Sequence, residues 1–234
     1  MESAAVPDFL DTGVVIGHLV MQDVHARAVR QYFADKVIRR HSSERVLAEA
    51  KQVLDRSRGV ISGFLNEFES RAGSRVRRSP DYARAIQAAA MDYIRSDNLD
   101  DRQRAQLLGF VRTRMEELRN ALLGQAEALE QLRIQVMMDF SAAGNNLLLF
   151  FDAGKGLAAL YRPGPFAGRD AWRARLRAIV PNPNDVEVLM DAGQLVAEAR
   201  FGAIRFVTTD RKDIGDRSGA IRGVIPVLAV LCLN

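Results

Sequence analysis

The chain has 234 residues, enough to bury a sizeable core, and its 48% hydrophobic and 26% charged content is that of an ordinary soluble globular protein. No run of about 18 apolar residues suggests a membrane span, no basic-then-apolar leader is read at the start, and the single cysteine, Cys232, leaves no internal disulfide or cysteine metal site. The net charge of +4 rests mainly on arginine, permits a nucleic-acid partner without requiring one, and an intracellular, cytoplasmic protein fits best.

The first segment, "DFLDTGVVIGHLV", reads as a buried strand that ends near Asp11 and runs into a helix. In "VHARAVRQYFADK" the residues Val24, Ala28, Val29 and Phe33 can share one helical face. "VIRRHSS" reads as a short strand, and "SSERVLAEAKQVLDRS" as a helix with serine at its start. Strand, helix, strand, helix is the signature of a parallel α/β unit.

From about residue 61 to 140 the pattern becomes almost wholly helical. "SPDYARAIQAAAMDYIRS" opens with a serine cap candidate and proline. The following stretch to Phe140 reads as one long helix or two in line, with Gly124 as a bend. Leu107, Val111, Met115, Leu118, Leu122, Leu129, Leu132, Val136 and Phe140 form an apolar stripe. Its expected partner is the helix beginning near Asp81, or else a second subunit of a homo-oligomer. Residues 61–145 therefore read as a helical insertion packed on or projecting from an α/β core of residues 1–60 and 146–234. "SAAGNNLLLFFDAGKGLAALYRPGPFAG" reads as a turn-rich return. The α/β pattern then resumes, with a helix in "NPNDVEVLMDAGQLVAEARFG" capped by Asn184, a buried strand in "AIRFVTTD" and a last apolar strand near the C-terminus.

Four acidic residues stand out by location. Asp11 ends the first strand, Glu49 lies about one turn inside the helix after the second, Asp185 opens a later helix, and Asp210 ends "RFVTTD". In a parallel α/β sheet, strand ends and the starts of following helices meet along one edge, where ligands bind. Four carboxylates gathered there repel one another, and a divalent cation relieves the repulsion. Oxygen-only ligands favour Mg²⁺ or Mn²⁺, the metals of phosphodiesterases that activate a bound water. Asp191 is a further candidate ligand on the same helix as Asp185, and Glu44 competes with Glu49. Thr12 and Thr208 are candidates to orient carboxylates or water. His18, His25 and His41 lack ligand spacing.

"FLDTGVVIG", "SSERVLAEA", "NDVEVLMDAG" and "RFVTTDRKDI" occur in the order and style of PIN-domain nucleases, which the chain resembles over residues 7–58 and 176–233. The resemblance maps the family's acidic quartet onto Asp11, Glu49, Asp185 and Asp210, with Thr208 at the position of a frequent hydroxyl. It implies a three-layer α/β/α sandwich around a parallel sheet, a bound divalent metal, and endoribonuclease activity leaving 5′-phosphate and 3′-hydroxyl ends. Gly13 stands where the family frequently carries a polar side chain, and the helical insertion is far longer than in its compact toxin-type members.

Between Arg75 and Arg119 ten arginines stand against seven acids, so this span carries much of the net charge. Arg75, Arg77 and Arg78 are its densest cluster, read either as an RNA-guiding face or as a solvated surface with local ion pairs. The leading expectation is a metal-dependent endoribonuclease. Its rivals are a non-catalytic PIN-like RNA- or protein-binding module and a structure-specific DNA nuclease.

Overall fold

A computed structural model describes residues 6–20, 23, 25–34, 38–76, 81–124, 126–152, 155–199, 202–227 and 229–233. The chain divides into two compact units, one of residues 1–21, 25–51 and 145–234, the other of residues 22–24 and 52–144.

The first unit is built on five strands: β1 (Asp8–Leu10), β2 (Arg40–Ser43), β3 (Ala159–Tyr161), β4 (Arg205–Thr208) and β5 (Ala229–Cys232). All neighbours pair parallel, in the order β3-β2-β1-β4-β5. The chain first steps outward from β1 to β3, then returns to the other side of β1. Right-handed crossovers put connections running in these two directions on opposite faces of the sheet, which is compatible with a three-layer α/β/α arrangement. The reversal leaves a crevice at the carboxyl ends of β1 and β4, the switch point where parallel sheets bind ligands.

β1 is pinned at both ends. At its start Asp8, fully buried, accepts two hydrogen bonds from the Arg205 guanidinium at 2.7 and 2.8 Å and a third from the Tyr32 hydroxyl at 2.6 Å. The same burial and the Asp8 bond push the Tyr32 phenol well above its usual range. At the other end the Asp11 N–H donates to the Val207 carbonyl at 3.0 Å. Between them Phe9 and Phe206 stack, with ring centroids 6.0 Å apart.

The helices of this unit start where the sequence supplies a cap. Helix α1 (Thr12–Leu19) contains three consecutive β-branched residues, Val14, Val15 and Ile16, that alone would favour a strand. The Asp11 side chain caps the helix by accepting from the Thr12 N–H, and burial of all three residues secures it. Helix α2 (Ala26–Phe33) follows, and it includes Ala28, Val29 and Phe33 of the expected face; Val24 lies outside the described residues.

Helix α3 (Glu44–Val76) runs unbroken for 33 residues, where a helix ending near residue 57 was expected. No proline interrupts it, and Gly59 and Gly63 are absorbed mid-helix. Helix α4 (Tyr82–Ser96) is capped by Asp81, which accepts from the Arg84 N–H; the expected Ser79–Pro80 start lies outside the described residues. The stretch read as one or two helices is three: α5 (Asp101–Thr113), opened by a capping box of Asp100 and Gln103, α6 (Met115–Leu122) and α7 (Ala126–Phe150). Gly124, with φ of +85°, sits between α6 and α7, a left-handed conformation that favours glycine.

In the second unit Leu107, Val111, Leu118, Leu129, Leu132 and Val136 join Phe64, Phe68, Ile86 and Tyr93 in one buried cluster, with Met115, Leu122 and Phe140 packed against it. The stripe between residues 107 and 140 is therefore covered from within the unit, by α3 and α4. It is not available to a second subunit.

The turn-rich reading of residues 141–168 is corrected. Helix α7 continues to Phe150, because Ala142, Ala143 and the Leu147–Leu149 run outweigh Gly144 and the asparagines. β3 follows, then helix α8 (Arg169–Arg177), and neither was anticipated. Helix α9 (Pro183–Ala199) is capped by Asn182, whose side chain accepts from the Asn184 N–H; Asn184 itself is already helical. After β4 a 3₁₀ turn (Gly215–Arg217) and helix α10 (Ser218–Arg222) lead to β5. Among the described residues no helix is long and apolar enough to cross a membrane.

Replacing Asp8 by Ala should remove two hydrogen bonds from the Arg205 guanidinium and one from the Tyr32 hydroxyl. The expected cost is about 2–3 kcal/mol, below the range for a fully buried pair because Arg205 is 33% exposed. Chemical denaturation of Asp8→Ala against the parent chain checks it.

Candidate active site

The crevice between β1 and β4 is lined by hydroxyl–carboxylate pairs. The Asp11 Oδ1 accepts from the Thr12 N–H at 2.7 Å, and its Oδ2 accepts from the Thr208 hydroxyl, also at 2.7 Å. Thr208 Oγ1 in turn accepts from the Asp210 N–H at 2.9 Å. One fully buried threonine thus ties the end of β1 to the loop after β4. The Thr12 hydroxyl donates to Glu49 Oε2 at 2.8 Å and draws α3 to the same edge. Asp210 Oδ1 accepts from the Asp213 N–H at 2.8 Å, closing a turn that brings Asp213 back toward the crevice.

Asp185 arrives in the first turn of α9. Burial first, and then the charges of Asp11, Asp210, Glu49 and Asp213, together push its carboxyl from the usual 3.8 up to about 8. The other three residues of the expected quartet are therefore close enough to act on Asp185. The four come from four segments of the chain. Asp213, a turn residue in the loop after β4, belongs to the same negative group. Its signal in the sequence was the three-residue offset from Asp210, which an Asx turn folds back.

Asp191 takes a different place. It is fully buried, with Oδ1 receiving an Arg169 Nη at 2.6 Å and Arg45 standing 3.7 Å from Oδ2. Arginines neutralise it, and it is absent from the charges that raise Asp185. Six residues along the helix from Asp185, it projects from another side of α9, toward these arginines. Glu44 is likewise engaged elsewhere, by Arg162 at 2.6 Å.

Gly13 gains a physical reason. A Cβ at this position would meet the Thr209 hydroxyl at 2.1 Å. The polar group expected on residue 13 is thus replaced in space by one from the loop after β4, and α1 approaches that loop closely.

The arginine-rich span behaves as a paired surface. Arg75 is bound to Asp92, Arg114 to Glu117 and Asp139, and Arg104 and Arg119 to acids three residues before them. Arg77 and Arg78 lie outside the described residues.

Among the described residues no three Asp, Glu, His or Cys side chains stand as a ready-formed metal-ligand set. The chemistry of the donors nonetheless fits a hard divalent cation: the group is all carboxylate oxygen, and Asp185 carries an electrostatic load that only a proton or a cation removes. His18 and His41 are held below their usual range by burial and nearby arginines, and neither faces this group of carboxylates.

No family model, curated protein or solved structure matches the chain.

The raised Asp185 carboxyl makes stability depend on pH in a defined direction. Between about 4 and about 8 the folded chain keeps a proton that the unfolded chain has released. This contribution is fully present below about 4 and is lost as pH rises through about 8. In a chelator-containing buffer, the Tm of the parent chain should fall relative to that of Asp185→Asn as pH is raised from about 5 to about 9. The difference between the two chains removes the opposing contribution of the buried histidines. Thr208→Val, which preserves shape but leaves Asp11 Oδ2 and the Asp210 N–H without their partner, should cost about 1–3 kcal/mol by denaturant titration.

Proposed function

We propose that this chain is a PIN-like, metal-dependent endoribonuclease. The observation that carries the reading is the mutual electrostatic pressure of Asp185, Asp11, Glu49 and Asp210 at the switch point of a parallel sheet. Carboxylates brought from four separate segments into one partly buried group are costly to the fold, so they call for a function. Asp11, Glu49, Asp185 and Asp210 would hold Mg²⁺ or Mn²⁺, with Asp213 beside them. When bound, such an ion supplies Lewis acidity toward phosphate oxygens and a water of lowered pKa for hydrolysis.

The chain's own residues do the rest. Thr208 and Thr12 fix the rotamers of Asp11 and Glu49, so both carboxylates are oriented before substrate arrives. The N-cap bond from Thr12 sets the direction of the Asp11 oxygens. Burial and the neighbouring carboxylates favour the protonated form of Asp185 near neutrality, and a cation held by the group would favour its carboxylate. Cleavage would leave 5′-phosphate and 3′-hydroxyl ends, as in the family the sequence resembles. A single cysteine fits a reducing compartment, and this reading puts the chain in the cytoplasm.

A non-catalytic PIN-like RNA- or protein-binding module is the second reading. It draws on the absence of a ready-formed ligand set among the described residues.

Asp11→Asn separates the two. Asparagine keeps the capping oxygen, so α1 and the fold persist. The loss of charge should lower cleavage of labelled single-stranded RNA by about 10³-fold in Mg²⁺ or Mn²⁺. Parallel assays on single-stranded and forked DNA test the DNA-nuclease alternative. An unchanged cleavage rate in Asp11→Asn, or no cleavage by the parent chain in either metal, would sink the catalytic reading.

A further inference from the structure

We propose that Arg45 is the side chain that takes an RNA phosphate at the acidic edge, an inference that rests on the nuclease reading. A group of carboxylates repels the phosphodiester it is to bind, and a cation beside it must offset that repulsion. Arg45 stands in the first turn of α3, one helical turn ahead of Glu49 and on the same face.

Its surroundings leave it available. Glu187 and Asp191 on α9 are the acids it faces. Both already accept hydrogen bonds from α8: Arg169 to Asp191 Oδ1 at 2.6 Å, and Arg173 to Glu187 at 2.7 Å, with Arg169 also reaching Glu187 at 3.2 Å. Arg45 is a third guanidinium over these two carboxylates. It stands 3.6 Å from Glu187 and 3.7 Å from Asp191, beyond hydrogen-bond distance, and its side chain is 43% exposed. Among the described residues the buried Asp191 Oδ2 has no hydrogen-bond partner, so its field holds Arg45 near the edge without fixing the fork. The neighbouring Glu44 does not compete, because Arg162 engages it at 2.6 Å. Asp170, the remaining acid here, lies at the exposed outer end and pairs with Arg173.

A guanidinium held by charge but not by hydrogen bonds keeps its planar donor pair for a ligand of matching geometry. A phosphodiester offers two acceptor oxygens in that geometry. Arg45 would bind the phosphate flanking the scissile one and set the strand's register against the carboxylates.

The test uses the full chain carrying Asp11→Asn, with a fluorescein-labelled single-stranded oligouridine RNA in Mg²⁺, and reads anisotropy across a salt series. Arg45→Gln should weaken binding about fivefold to tenfold and reduce the slope of log K against log salt by about 0.7, the share of one phosphate contact on a single strand. Arg45→Lys should keep the slope and recover part of the affinity, since charge remains and the fork does not. Arg58→Gln, which removes an exposed arginine paired with Asp55 further along α3, should change neither. The proposal is overturned if Arg45→Gln binds with the parent affinity and slope, if Arg58→Gln matches its effect, or if the chain binds no RNA. Failure of the nuclease reading shows separately, as absent cleavage by the chain with Asp11 intact while the Arg45 slope change persists.

Discussion

The hydrogen bond from Thr208 to Asp11 joins residues 197 positions apart in the chain, and the candidate site depends on it. It fixes which way the carboxylate ending β1 points. Through the Asp210 N–H it also fixes the loop that leaves β4. The bond exists because β1 and β4 are neighbours, and they are neighbours in register because Asp8 and Arg205 lock their other ends. A three-residue strand is too short to hold its place by backbone pairing alone. Two side-chain ties, one at each end, do what length does in longer sheets.

The two ties illustrate opposite treatments of a buried carboxylate. Asp8 is matched by a bidentate guanidinium and a phenol and has no repulsion left to relieve. Asp191 is offset by Arg169, which bonds one of its oxygens, and by Arg45 at 3.7 Å from the other. Around Asp185 the fold supplies more carboxylates in place of a cation, and the cost appears as a proton held near neutral pH. Structural carboxylates and the candidate functional group are thus separated by their partners, and burial alone would not separate them: Asp8 and Asp191 are both more deeply buried than Asp11.

Much of the α/β frame was legible in the sequence. β1 running into α1, β4 and β5 follow from short apolar runs, β2 falls within "VIRRHSS" although its own residues are polar, and Asp11 and Asp210 follow from their position at strand ends. What was hidden has physical causes. β3 carries no alternation and is only three residues long, so nothing marks "ALY" as a strand until β2 pairs with it. α7 overran its expected end because Leu and Ala propensity acts over a whole window, while Asn and Gly speak only for single positions. The Asp8–Arg205 lock was invisible because its members are each unremarkable, and only the parallel pairing of β1 with β4 brings them together. The placement of Asp191 apart from Asp185 turned on α8, an arginine-rich helix that periodicity did not announce.

The arginines themselves show why charge counts read poorly as function. Within the arginine-rich span, Arg75, Arg104, Arg114 and Arg119 pair with acids on the same or a neighbouring helix, where exposed pairs add little stability and leave little net field. Arg45 sits in no cluster and adds one charge to a mixed segment, "SSERVLAEA". It matters because two better-placed arginines already donate hydrogen bonds to its acidic neighbours. Availability of a cation is a property of the whole local network, and a sequence states the members of that network without stating who bonds to whom.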